Sequence, residues 1–189
     1  MKHRVLWITL GLLVLATGVA AAGGTRVFYR LYHREGASWI QYFPGDAFPV
    51  GGNLPGTNRW RYTYELMNDT GPGSVNTLYV FFNGDGGQHS DFPPVGVSAP
   101  GGWTPTYIAP PSGQEAWRER FRGLAAPVAV GASLEGYLVE FTWEDPVLPG
   151  PQSYDAVFTT GSETGTTTPR KPEVAVTRTS WGKLRNLYR

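Results

Sequence analysis

Apolar and polar residues alternate along most of this chain, most clearly in RWRYTYELMN, residues 59–68. Trp60, Tyr62, Tyr64 and Leu66 fall on one face, and Arg61, Thr63 and Glu65 on the other. A period of two is the mark of a half-buried strand. The same alternation predicts strands at 25–33, 38–43, 104–109, 132–144 and 153–160, and VNTLYVFF at 75–82 reads as a continuous apolar strand. NDTGPGS, 68–74, is dense in turn residues and predicts a hairpin joining 59–68 to 75–82. EAWRERF, 115–121, fits a strand or a single helical turn, and a strand is preferred. No segment shows a long amphipathic helical pattern. Short strands punctuated by turns predict an all-β fold, an antiparallel β-sandwich of the immunoglobulin or fibronectin-III type with about 7–9 strands.

The long proline-rich stretches FPGDAFPVGGNLPGTN and PPVGVSAPGGWTPT suit connections that pass from one sheet to the other. One domain is expected over 26–160. GSETGTTTPRKPE, 161–173, has no apolar residue and predicts a flexible linker. Beyond it lies a short basic-aromatic tail, 174–189. Trp181, Leu184, Leu187 and Tyr188 would make an apolar stripe there, with Arg178, Lys183, Arg185 and Arg189 supplying charge. Such a tail suits docking to a surface or to anionic envelope polymers.

The first residues change the picture of compartment. Lys2, His3 and Arg4 precede an apolar run from Val5 to about Val19, and Ala20, Ala21 and Ala22 follow. This is the layout of a signal peptide over 1–22, with cleavage before Gly23, and the alternative is an uncleaved anchor. The expected location is therefore secreted, extracellular or in the cell envelope. The sequence contains no cysteine, which excludes disulfides, thiol catalysis and thiolate metal sites. Net charge is +1, and without Lys2 and Arg4 there remain 14 basic and 15 acidic residues. That balance argues against a nucleic-acid partner.

Three pieces of the chain resemble small exported bacterial proteins built on one immunoglobulin-like sandwich. They are the Trp-x-Tyr-x-Tyr-x-Leu-x-Asn strand at 60–68, the proline-glycine-tryptophan turn at 100–103, and PVAVGASLEGYLVEF at 127–141. The resemblance covers about 60–158 and implies a sandwich fold. Many members of that group have no assigned activity, and their C-terminal segments often serve sorting or surface attachment. SWGKLRNLYR matches no LPxTG cell-wall signal.

Candidate chemistry is sparse. FFNGDGGQHSDF, 81–92, gathers Asn83, Asp85, His89 and Asp91 around glycines. Asn83, Asp85 and Asp91 offer oxygens for calcium, although position 87 is glycine and no glutamate closes the loop. Asn-Gly-Asp-Gly-Gly is equally a strand-joining turn. A site of His33, His89 and Asp91 for a transition metal has no supporting spacing. No Gly-x-Ser-x-Gly elbow occurs. Glu65 and Glu140, each inside a strand, form the one carboxylate pair suited to glycoside hydrolysis, but strand glutamates facing solvent are ordinary. Asn68-Asp69-Thr70 matches a glycosylation sequon and is also a turn.

Of the tryptophans, Trp60 and Trp143 alternate correctly for a core. Trp103, in a turn, and Trp117, flanked by charge, are the candidates for exposed rings that stack on sugars. The sequence thus predicts a structural or binding module without catalysis or cofactor. A glycan or another envelope protein is the expected partner, and a carbohydrate-binding module or a glycosidase is the alternative.

Overall fold

The computed structural model describes residues 24–82, 94–109 and 117–171. The strands run in order as β1 (Thr25–Glu35), β2 (Ser38–Tyr42), β3 (Arg59–Asn68), β4 (Val75–Phe82), β5 (Gly96–Ser98) and β6 (Thr104–Ile108). They continue as β7 (Trp117–Arg122), β8 (Ala132–Thr142), β9 (Ser153–Phe158), β10 (Gly161–Thr166) and β11 (Thr168–Pro169). No helix among these residues is long and apolar enough to cross a membrane. The expected signal peptide, 1–22, and the tail, 174–189, lie outside the described residues.

Two sheets face each other. The first has the order β11-β1-β3-β8-β5, with β2 also paired to β1, and the second has the order β10-β9-β4-β7-β6. Neighbours are antiparallel except β1 and β11, which run parallel. The alternation read from the sequence is what closes the sandwich. Trp60, Tyr62, Tyr64 and Leu66 of β3 meet Leu78, Val80 and Phe82 of β4, Tyr137, Val139 and Phe141 of β8, and Phe121 of β7 in one buried cluster. Two buried tyrosine hydroxyls find carbonyl partners: Tyr62 donates to Gly150 at 2.7 Å, and Tyr154 to Thr25 at 2.6 Å.

Three expectations are corrected. The strands at 59–68 and 75–82 are not a hairpin, because β3 pairs with β1 and β8 while β4 pairs with β7 and β9. NDTGPGS carries the chain from one sheet to the other, held by Asn68, whose Nδ2 donates to the carbonyls of Gly73 and Val128. Asn68 is fully buried, so its side chain serves this turn and is closed to glycosylation. The proline-rich stretch 43–58 does not cross either. It joins β2 to β3 within one sheet and folds over Trp60, with Phe48 stacked on the indole at 5.6 Å.

The third correction is the linker. Residues 161–166 form β10 against β9, and Thr168 and Pro169 pair with Phe28 and Tyr29 of β1. These are edge strands of threonine and serine, which need no apolar residue because their outer side faces water. They are fixed by polar ties: Glu163 accepts from the Thr25 amide at 2.7 Å, and Thr167 Oγ1 accepts from the Gln152 amide at 2.8 Å.

A bulge shapes each sheet. In the first, Tyr64 faces Tyr137 but Glu65 faces Glu135, leaving Gly136 as the extra residue, at a φ of 104° that favours glycine. In the second, Val75 faces Phe158 and Thr77 faces Val157, so Asn76 is the extra residue. Beyond that bulge Leu78, Val80 and Phe82 point into the core, and Tyr79 and Phe81 point out.

Candidate ligand-binding face

The outer face of the second sheet is built on its central strand. Tyr79 and Phe81 sit two residues apart on β4, both half-exposed, with ring centroids 6.3 Å apart and planes within 28° of each other. On one side, Arg118, Arg120 and Arg122 occupy alternate positions of β7, opposite Phe81, Tyr79 and Thr77 in register. On the other side, β9 sets Ser153 opposite Phe81 and Asp155 opposite Tyr79. The Arg118 guanidinium lies 5.2 Å from the Tyr79 ring and 5.8 Å from the Phe81 ring. The result is a short aromatic pair with the Arg118 guanidinium over it, and with hydrogen-bonding groups on both flanks.

Two polar atoms on this face are buried without hydrogen-bond partners among the described residues: Arg120 Nε and Asp155 Oδ1. They belong to the two residues that flank Tyr79 in register. Beyond Arg120 lies a groove of about 400 Å³. Arg120 and Arg122 line it with Thr104 and Thr106 of β6, and Gly102, Leu124 and Ala125 complete its walls.

Beneath this face, the same β7 strand sends Glu119 inward. The residue is fully buried, and neither carboxylate oxygen has a hydrogen-bond partner among the described residues. Burial pushes its carboxyl up to about 7. Tyr137, whose hydroxyl is also unpaired, lies in the same core against Phe121.

The residues singled out from sequence fare differently. Trp103 is not an exposed ring: it is 6% exposed, its Nε1 donates to the Ala126 carbonyl at 2.8 Å, and it meets Tyr137 edge-on. Its indole lies flat over Gly123, where any side chain would collide with the ring. It plugs one end of the sandwich. Trp117 opens β7 with its backbone opposite Phe82. His33 is buried, its ring tilted against Trp60 at 4.6 Å, and its Nε2 donates to the Thr57 carbonyl at 2.7 Å, which makes it a packing residue.

Glu65 and Glu140 share the outer face of the first sheet but are not brought together. Glu140 stands opposite Arg61 in register, and Glu65 lies four residues further along β3. That is about 13 Å at roughly 3.3 Å per residue, beyond the roughly 9.5 Å at which paired glycosidase carboxylates work. Each is held by arginine: Glu140 by Arg59 at 3.2 Å and Arg61 at 2.6 Å, Glu65 by Arg170 at 3.4 Å. Among the described residues, no three histidine, aspartate or glutamate side chains could hold a metal ion. The calcium candidates Asn83, Asp85 and Asp91, with His89, lie outside the described residues, as do Trp181, Leu184, Leu187 and Tyr188.

Sequence reading passed over Tyr79, Phe81 and the three arginines. VNTLYVFF looks buried on both faces, because a continuous apolar run does not reveal which residues point out. WRERFR did carry a signal: arginine at every second position marks one face of a strand as charged.

No family model matches the chain, and no curated protein matches it. Among solved structures it is similar to two chains of a GH20 exo β-N-acetylglucosaminidase from Vibrio harveyi, one in complex with N-acetylglucosamine and one an inactive mutant. Identity is 10% and 11%, the TM-score is 0.33 for both, and each match covers 78% of this chain but 18% of the other. The chain thus spans less than a fifth of those enzymes, and a likeness of this degree carries no argument about what it does.

Proposed function

We propose that this chain is an exported carbohydrate-binding module without catalysis of its own, holding glycan on the outer face of its second sheet. The observation that carries the reading is the Tyr79–Phe81 pair. Two half-exposed rings lie 6.3 Å apart, their planes within 28° of parallel, on the central strand of the second sheet. The outer face of an antiparallel sheet is ordinarily polar, so two aromatics there cost solvation that a ligand would recover. Sugar rings present apolar C–H faces that stack on such a platform, and their hydroxyls need donors and acceptors beside it. Arg120 and Asp155 supply one of each next to Tyr79.

Affinity electrophoresis of the protein through gels containing soluble polysaccharides tests this. Retardation is expected for the unmodified protein, and it should be lost in Tyr79→Ala/Phe81→Ala with thermal unfolding still cooperative. A double variant that is retarded as strongly as the parent would refute the reading.

A further inference from the structure

We propose that the groove of Arg120, Arg122, Thr104 and Thr106, beside the Tyr79–Phe81 rings, takes the carboxylates of an acidic polysaccharide. This rests on the carbohydrate-binding reading above and assigns the sugar class.

The argument begins with charge. Arg118, Arg120 and Arg122 make no ion pair among the described residues. The one carboxylate facing out from the strand on the far side of the ring strip is Asp155, separated from β7 by the whole of β4. Guanidinia two residues apart on a strand repeat at about 6.7 Å, which suits a ligand whose negative charge also repeats.

Geometry narrows the choice. Arg120 and Arg122 both line the groove, and the Thr104 and Thr106 residues that stand opposite Arg122 and Arg120 in register bring two hydroxyls to it. Arg120 Nε is already desolvated and unpaired. A buried donor without an acceptor is costly, and a planar carboxylate can accept two parallel bonds from a guanidinium fork. A neutral sugar hydroxyl can accept from that donor but leaves the charges of Arg120 and Arg122 unmet. The rings next to the groove argue for a sugar acid over a bare polyanion, since phosphate chains have no apolar face to stack.

The test uses the full chain with polygalacturonate and its fully methyl-esterified form, the same sugar backbone with and without charge. Binding to the acid form should be at least tenfold tighter at moderate ionic strength and should weaken in 1 M salt. Arg120→Gln/Arg122→Gln should lose the preference, so that the two polymers bind alike, with a thermal melt showing that the variant is folded. Equal binding of both polymers, or a preference that survives the double substitution, overturns the acid assignment and leaves carbohydrate binding standing. Binding of inorganic polyphosphate as tight as the acid polymer's, and indifferent to Tyr79→Ala, would show charge attraction alone and overturn it too. Binding of neither polysaccharide overturns the acid assignment, and the retardation test above then decides the carbohydrate reading separately.

Discussion

The two outer faces of the sandwich treat arginine in opposite ways. On the first sheet, Arg30, Arg59 and Arg61 each reach a carboxylate within 3.2 Å, and at its margin Arg26 and Arg170 reach one at 2.5 and 3.4 Å. Arg61 is also stacked over Trp39 at 3.9 Å. On that face five arginines have an acid partner, although Arg59 Nε is left without a hydrogen bond. On the second sheet, three arginines stand in a row with aromatic rings at their side and no acid in contact among the described residues. Neighbouring guanidinia in such a row repel by about 0.6 kcal/mol per pair in water. The comparison teaches that exposure and charge alone do not mark a binding face. Lack of internal compensation does.

The contrast continues into the core, since the strand that carries the uncompensated arginines also buries Glu119. Its folded carboxyl is raised from 4.5 to about 7, so the unfolded chain gives up the proton first. The contribution of Glu119 to stability is therefore fully present below about pH 4.5 and is lost as pH rises through about 7. Glu119→Gln should flatten that decline and stabilise the protein at pH 8 by up to about 3 kcal/mol. Denaturant melts at pH 4.5, 6 and 8 would show it. A variant with the parent's pH slope would mean that Glu119 is charged and compensated in the fold.

Next in size is the effect of Tyr79→Ala/Phe81→Ala on glycan affinity, a loss of roughly 100-fold, or about 2.7 kcal/mol. Titration calorimetry should find no comparable loss for Trp39→Ala on the compensated face. Equal losses would erase the distinction between the faces. Glu140→Gln removes the carboxylate shared by Arg59 and Arg61. Since the cluster is partly buried, a loss of about 1–2 kcal/mol of stability is expected with ligand affinity unchanged. The smallest effect belongs to Arg26→Ala. Its partner Asp69 is close, but the pair is exposed to water, so stability should change by less than about 1 kcal/mol.

Much of the fold was legible because burial writes itself as alternation. β3 and β4 have the expected bounds, and β1, β2, β6, β8 and β9 start where the pattern starts. Reading failed where alternation carries no apolar signal. β10 and β11 are polar edges, and their order depends on Glu163 and Thr167 reaching residues distant in sequence. The pairing of β3 and β4 failed for a different reason: a turn composition shows that the chain reverses, not that the reversal stays within one sheet. The candidate site was least legible. Trp103 looked exposed because it sits in a glycine-rich turn, yet Gly123 makes the space that buries it. Tyr79 and Phe81 looked buried because they share a run with Leu78, Val80 and Phe82, and the bulge at Asn76 sets which of them face out.

The most direct test of the account is backbone-amide NMR during titration with a galacturonate oligosaccharide. Shifts should concentrate in Leu78–Phe82, Thr104–Ile108 and Arg118–Arg122, while the amides of Arg26–Arg34 and Arg59–Glu65 stay in place. Perturbations centred on the first sheet, or spread evenly over both, would contradict the claim that the uncompensated face is the binding face.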